Sequence, residues 1–168
     1  MLKLIAALAL FASSALPQGA AAETLPLVEV HLPKICLACI DWSEHLIKHG
    51  FKVKLKSGED MAAVKRRLKV PADLESVHTA TVGGYFIEGH VPAEDIVELL
   101  REKPKARGLA VPGLPMGAPG REARGTDASC ESGCIILEGG AVQRIPRREF
   151  FNTLLVLPDG TTKVFARH

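Results

Sequence analysis

The stretch from Leu27 to Lys56 constrains the fold more than any other part of the chain. Leu27-Val28-Glu29-Val30-His31-Leu32 reads as a β-strand that stops at Pro33. Cys36-x-x-Cys39 follows directly, ahead of a helical segment from Ile40 to His49 with Gly50 as its C-terminal cap. Phe51 to Lys56 then alternates with period two, which predicts a second strand parallel to the first. A dithiol therefore sits at the first strand-to-helix turn. There it meets the positive end of a helix dipole, which favours the thiolate that attacks disulfides and binds soft metals. Cys36 is the more reactive candidate and Cys39 its partner.

The alternation continues. Met61, Val64 and Leu68 recur at helical spacing before Pro71, and Thr79 to Glu88 reads as two short strands around Gly83-Gly84. Pro92 opens a helix that has Glu94 and Asp95 in its first turn and stops at Pro104. The order β-α-β-α-β-β-α is that of a thioredoxin-like α/β domain. A Gly/Pro-rich loop over 104–129 follows, and Pro112 to Gly120 reads as irregular. Beyond it lies a β-rich C-terminal extension: a hairpin within Ile135 to Ile145, and a second with strands Thr153 to Leu157 and Thr161 to Ala166 around Pro158-Asp159-Gly160.

Met1-Leu2-Lys3, the apolar run Leu4 to Ala12, and Ala20-Ala21-Ala22 predict a signal peptide over residues 1–22, with cleavage after Ala22. The apolar run is broken by Ser13, Ser14 and Pro17 and is too short for a membrane anchor. Residues 23–168 then form one exported domain, large enough to fold without disulfides or structural zinc. The 21 basic and 19 acidic residues give a net charge of +2, with one Trp and one Tyr. That balance argues against a nucleic-acid surface and leaves Arg147-Arg148 as a solvated patch.

The other two cysteines lie in Cys130-Glu131-Ser132-Gly133-Cys134. As one helical turn or as a tight loop through Gly133, this is a second two-thiol claw, and the long loop gives it the reach to meet the first. Three uses of four thiols stay open on the residues alone: a metal site, a thiol-disulfide oxidoreductase based on Cys36 and Cys39, or two structural disulfides in an oxidising compartment. The spacing is atypical of structural zinc, and thiolates also select Cu(I). One cuprous ion among four thiolates leaves excess negative charge, whereas thiolates bridging several cuprous ions approach neutrality. Leu37-Ala38 between the cysteines and Ile35 before them depart from the thioredoxin Trp-Cys-Gly-Pro-Cys pattern.

The run HTATVGGYFIEGHVPAEDIVELLREKPKARGLAVPGLPMGAPGRE, His78 to Glu122, closely resembles a family of small periplasmic metal-binding proteins long carried as a domain of unknown function. CLACIDWSEHLIKHGF before it and LLVLPDGTTKVFARH after it extend the likeness over most of the chain. Ala38, Val77, Leu114 and Arg121 stand where the commoner form of that family carries soft Cys or Met ligands, and a CxxxC has been gained. This combination resembles the CopG branch of periplasmic copper-resistance proteins. The resemblance implies that Cys36, Cys39, Cys130 and Cys134 bind copper as a multinuclear Cu(I) cluster that buffers the metal or cycles it between Cu(I) and Cu(II). It also implies copper ions as the partner, in the company of a periplasmic copper chaperone, oxidase or efflux component.

Other donors carry less weight. His45 and His49 share a helix face, though exposed helical His are usually only solvated. His78 and His90 lie in the resembling stretch and read first as structural hydrogen-bonding groups, second as groups that orient the site. Met116 reads as loop packing before it reads as a thioether ligand. His31 and His168 carry no signal.

Overall fold

The computed structural model describes residues 24–122 and 148–168 in full, together with the backbone of 134–136 and 142–144. The signal-peptide reading, Cys130 and the turn of the hairpin within Ile135 to Ile145 lie outside the described residues.

The elements follow in the order β1 (Val28–Leu32), α1 (Leu37–Lys48), β2 (Val53–Ser57), α2 (Met61–Leu68), β3 (Thr79–Val82), β4 (Tyr85–Glu88), α3 (Ala93–Glu102), β5 (Gly108–Ala110), β6 (Cys134–Ile136), β7 (Val142–Arg144), β8 (Asn152–Val156) and β9 (Thr162–Arg167). A 3₁₀ turn, Ala72–Leu74, follows α2. Seven strands make one mixed sheet in the order β2-β1-β3-β4-β5-β8-β9. β1 pairs parallel with β2 and β4 parallel with β5, because in each case a helix carries the chain back along the sheet. The remaining pairs are antiparallel, including β6 with β7, which form a separate ladder with Cys134 opposite Arg144.

Period-two alternation divides the side chains between two layers. Val28, Val30, Leu32, Ala80, Val82, Ile87 and Leu109 face one cluster with Cys39, Trp42 and Leu46 of α1 and Ile96 and Leu99 of α3. Phe86, Ala110 and Val156 face the other, beneath Leu68 of α2, Val70 and Leu74. Helices α1 and α3 thus cover one face and α2 the other, so β1 and β3 are buried almost throughout. The α2 face also holds a charged group. The Lys65 ammonium contacts the buried Glu88 carboxylate, which accepts further bonds from Thr79 Oγ1 at 2.6 Å and the Ser76 amide at 2.6 Å. Burial pushes the Glu88 carboxyl upward, opposed by Lys65.

The element order agrees with the sequence reading in its β-α-β-α-β-β-α core and in the strand-turn-strand at the C-terminus. Gly83 and Gly84 both adopt positive φ, as a two-residue hairpin turn with the right twist requires. Two expectations need correction. Helix α1 begins at Leu37, three residues before Ile40, because Cys36 itself serves as its N-cap. The region 104–129 is not all loop, since Gly108–Ala110 forms β5 and joins β8 and β9 to the main sheet. That strand is only three residues long and buried on both faces, so no alternation betrays it.

Candidate metal centre

Cys36 has extended backbone, φ −155° and ψ 90°, and its sulfur accepts the Cys39 backbone N–H at 3.3 Å. A cysteine thus does the work usually done by Ser, Thr or Asp at a helix start. No acidic residue lies in the first turn of α1 to offset the positive end of its dipole. Cys36 and Cys39 form a disulfide with Cα atoms 5.3 Å apart. Cys36 is half-buried while Cys39 is fully buried, packed with Trp42 and Leu46. Ile35 and Leu37, the chain neighbours of Cys36, are 84% and 68% exposed. Any reagent or ion therefore meets Cys36 first, with Cys39 beneath it.

The Gly/Pro loop is seated on the same helix. Gly120 approaches the Ala38 carbonyl and the Trp42 amide too closely for any side chain, and it adopts φ +77°. The loop is held there by His90, whose Nδ1–H donates to the Pro119 carbonyl at 2.8 Å. Behind the dithiol, Trp42 donates from Nε1 to the Val91 carbonyl at 2.8 Å and packs against His78, ring centroids 4.4 Å apart. His78 meets His90 edge-on at 4.9 Å. Burial drives both imidazoles below their ordinary pKa, His78 well below, and each is further disfavoured as a cation by basic neighbours, the His90 ring and Lys65 for the first and Arg121 for the second. Both rings are therefore neutral at pH 7.

The expected hydrogen-bonding role holds for His90 Nδ1, while His78 keeps only a weak interaction with the Gly89 backbone. Neither ring nitrogen of His78, nor Nε2 of His90, makes a well-formed hydrogen bond among the described residues. His90 positions the loop, and through it the first turns of α1. Met116 is half-buried, and its sulfur accepts from Arg121 at 3.4 Å. His31 contacts Glu59, and His168 Nε2 lies 2.9 Å from Asp95 on α3, so both are structural anchors that the sequence did not signal.

Of the four expected cysteines, the structure brings Cys36 and Cys39 together. Cys130 lies outside the described residues, and Cys134 is described by backbone alone, as the first residue of β6. A helical turn running through Cys134, one of the two conformations weighed for CESGC, is therefore not adopted at that residue.

Glu94 is the group that sequence reasoning missed. It lies near His45 and His49, where one ligand atom from each of the three falls within 4.8 Å of the others. His45 in addition accepts the Ala93 amide at Nε2, 3.1 Å, and so caps α3, whose own N-cap is Pro92. Burial and the neighbouring His49 lower the His45 pKa.

Two solved structures, titled Copper resistance protein CopG in Forms 1 and 2, superpose with TM-scores of 0.68 and 0.67. Each is 35% identical, and the alignment covers 86% of this chain and 98% of theirs. The chain belongs to the CopG family. Residues 74–121 also match the family model described as a protein of unknown function, DUF411. Comparison with the curated proteins gives no match. Among the described residues no helix is long and apolar enough to cross a membrane.

Proposed function

We propose that this CopG-family chain is a periplasmic copper-binding protein of a copper-resistance system, built on a thioredoxin-like domain. In this reading Cys36, Cys39, Cys130 and Cys134 hold several cuprous ions as one thiolate cluster. The observation that carries it is the α1 dithiol, with one accessible and one buried sulfur, in a chain 35% identical over 86% of its length to a copper-resistance protein. The donor set fits the cargo, because thiolates are soft and cuprous ions prefer them.

The dithiol also permits redox exchange. Two cupric ions oxidise one dithiol to a disulfide, giving two cuprous ions and two protons, so electrons and charge balance without a further reactant. Export follows from residues 1–22, read as a signal peptide removed after Ala22.

A second reading, a periplasmic thiol-disulfide oxidoreductase, draws on the same pairing of an accessible Cys36 with a buried Cys39. Growth under copper stress and disulfide reductase activity separate the two. Copper binding predicts that the Cys130→Ser, Cys134→Ser double variant loses tolerance and keeps any reductase activity. If that variant keeps full tolerance while Cys36→Ser loses only reductase activity, the oxidoreductase reading holds.

A further inference from the structure

His45 and His49 stand one turn apart near the end of α1, and Glu94 faces them from the first turn of α3. His49 Nδ1 lies 2.8 Å from the His45 carbonyl oxygen. A carbonyl only accepts, so this nitrogen carries the hydrogen and the tautomer is fixed. In the neutral ring Nε2 is then a lone pair, yet it faces a Glu94 carboxylate oxygen at 3.0 Å. Two acceptors at that separation require a cation between them, either a proton on Nε2 or a metal ion bound by both.

The geometry accommodates a metal ion as well as a proton. Ligand atoms sharing one ion at bond lengths of about 2.0–2.2 Å stand roughly 3–4 Å from one another. The His49–Glu94 pair is already at that spacing, and His45 brings a second imidazole tilted by 46° against the first, ring centroids 4.2 Å apart. Binding would draw His45 Nε2 from the Ala93 amide, a shift of one ring. The backbone carbonyl behind His49 Nδ1 plays the orienting part that outer partners play at metal-bound imidazoles. His49 is 38% exposed at its side chain and Glu94 66%, so an ion enters without rearranging the core.

Imidazole and carboxylate are harder donors than thiolate. They suit divalent cations over Cu(I), and among the first-row divalent ions Cu(II) binds such a set most tightly. We propose that His45, His49 and Glu94 form a second, thiol-free metal site selective for Cu(II). It contains no cysteine and lies at the other end of α1 from Cys36 and Cys39. If both hold, the protein offers soft donors to one oxidation state of copper and borderline donors to the other.

The test is Cu(II) binding to the air-oxidised full-length exported chain, followed by continuous-wave electron paramagnetic resonance and by competition with a glycine chelator. The wild type should bind one equivalent with nitrogen hyperfine structure and without thiolate charge-transfer absorption. His49→Gln and Glu94→Gln are exposed changes whose folding is checked by thermal melts, and each should weaken binding by at least about tenfold. Equal Cu(II) affinity in the wild type and in both variants would overturn the proposal and leave an imidazolium–carboxylate pair. Loss of cuprous binding on Cys36→Ser would not alter this result, so the two sites fail independently.

Discussion

Gly120 lies against Trp42. A methyl group added at Gly120 would stand 2.6 Å from the Trp42 backbone nitrogen and 2.8 Å from the Ala38 carbonyl oxygen. The loop thus reaches the helix that carries the dithiol only because this residue has no side chain. Gly120→Ala should cost about 1–2 kcal/mol for the left-handed backbone alone, with the clash added to it. Urea unfolding should show at least that loss. An unchanged midpoint would mean that the loop is not held on α1.

The neutral state of His78 and His90 predicts how stability depends on pH. Both folded pKa values lie below the ordinary histidine value, so folding favours the unprotonated rings. Their contribution is complete above pH of about 6.5 and is lost as pH falls through the depressed folded values. Arg121 lowers the His90 value, while Glu122 and Asp41 oppose it. Glu88 acts with the opposite sign: its raised carboxyl favours protonation on folding, and that contribution fades as pH rises from the carboxylate range. Urea unfolding at pH 5 and 7.5 should show the lower stability at pH 5, with a shallower dependence in His78→Leu. The same slope in both proteins would contradict this role for His78.

The Lys65–Glu88 contact ties α2 to the sheet inside the molecule. Lys65→Met alone strands a buried carboxylate and should cost about 3–5 kcal/mol, whereas Lys65→Met with Glu88→Leu should recover most of it. Denaturation of the single and double variants measures the coupling, and additive losses would show that the pair does not act as a unit.

Processing tests the compartment on which the disulfide chemistry depends. Periplasmic material should have an intact mass that begins at Glu23, since Ala20 and Ala22 supply the small residues signal peptidase requires. A product retaining Met1 would contradict export by this route.

Much of this architecture was legible because Pro33, Pro71, Pro92 and Pro104 mark where elements stop and start, and because Val28 to Leu32 and Phe51 to Lys56 carry strand patterning. The residues that escaped depend on contacts distant in sequence. Gly108–Ala110 becomes a strand only through pairing with β4 and β8. Cys36 lengthens α1 because its sulfur accepts a backbone N–H, a role its residue type rarely signals. His45 and His49 announced themselves by helical spacing, but Glu94 joins them only once α1 and α3 pack on one face of the sheet. The Cys36–Cys39 dithiol was readable from Cys36-x-x-Cys39 and the helix behind it, while no periodicity in the sequence places Cys130 and Cys134 relative to that pair.

The claim that both cysteine pairs share one cluster is tested most directly by anaerobic titration of the reduced protein with Cu(I) against a cuprous chelator. Cys36→Ser, Cys134→Ser and the double variant are compared with the wild type. One shared cluster predicts that each single variant loses most of the bound copper and that the double variant loses little more, because ligands of one network couple. Two independent sites would lose about half the copper in each single variant and all of it in the double, and that additive result would contradict the account.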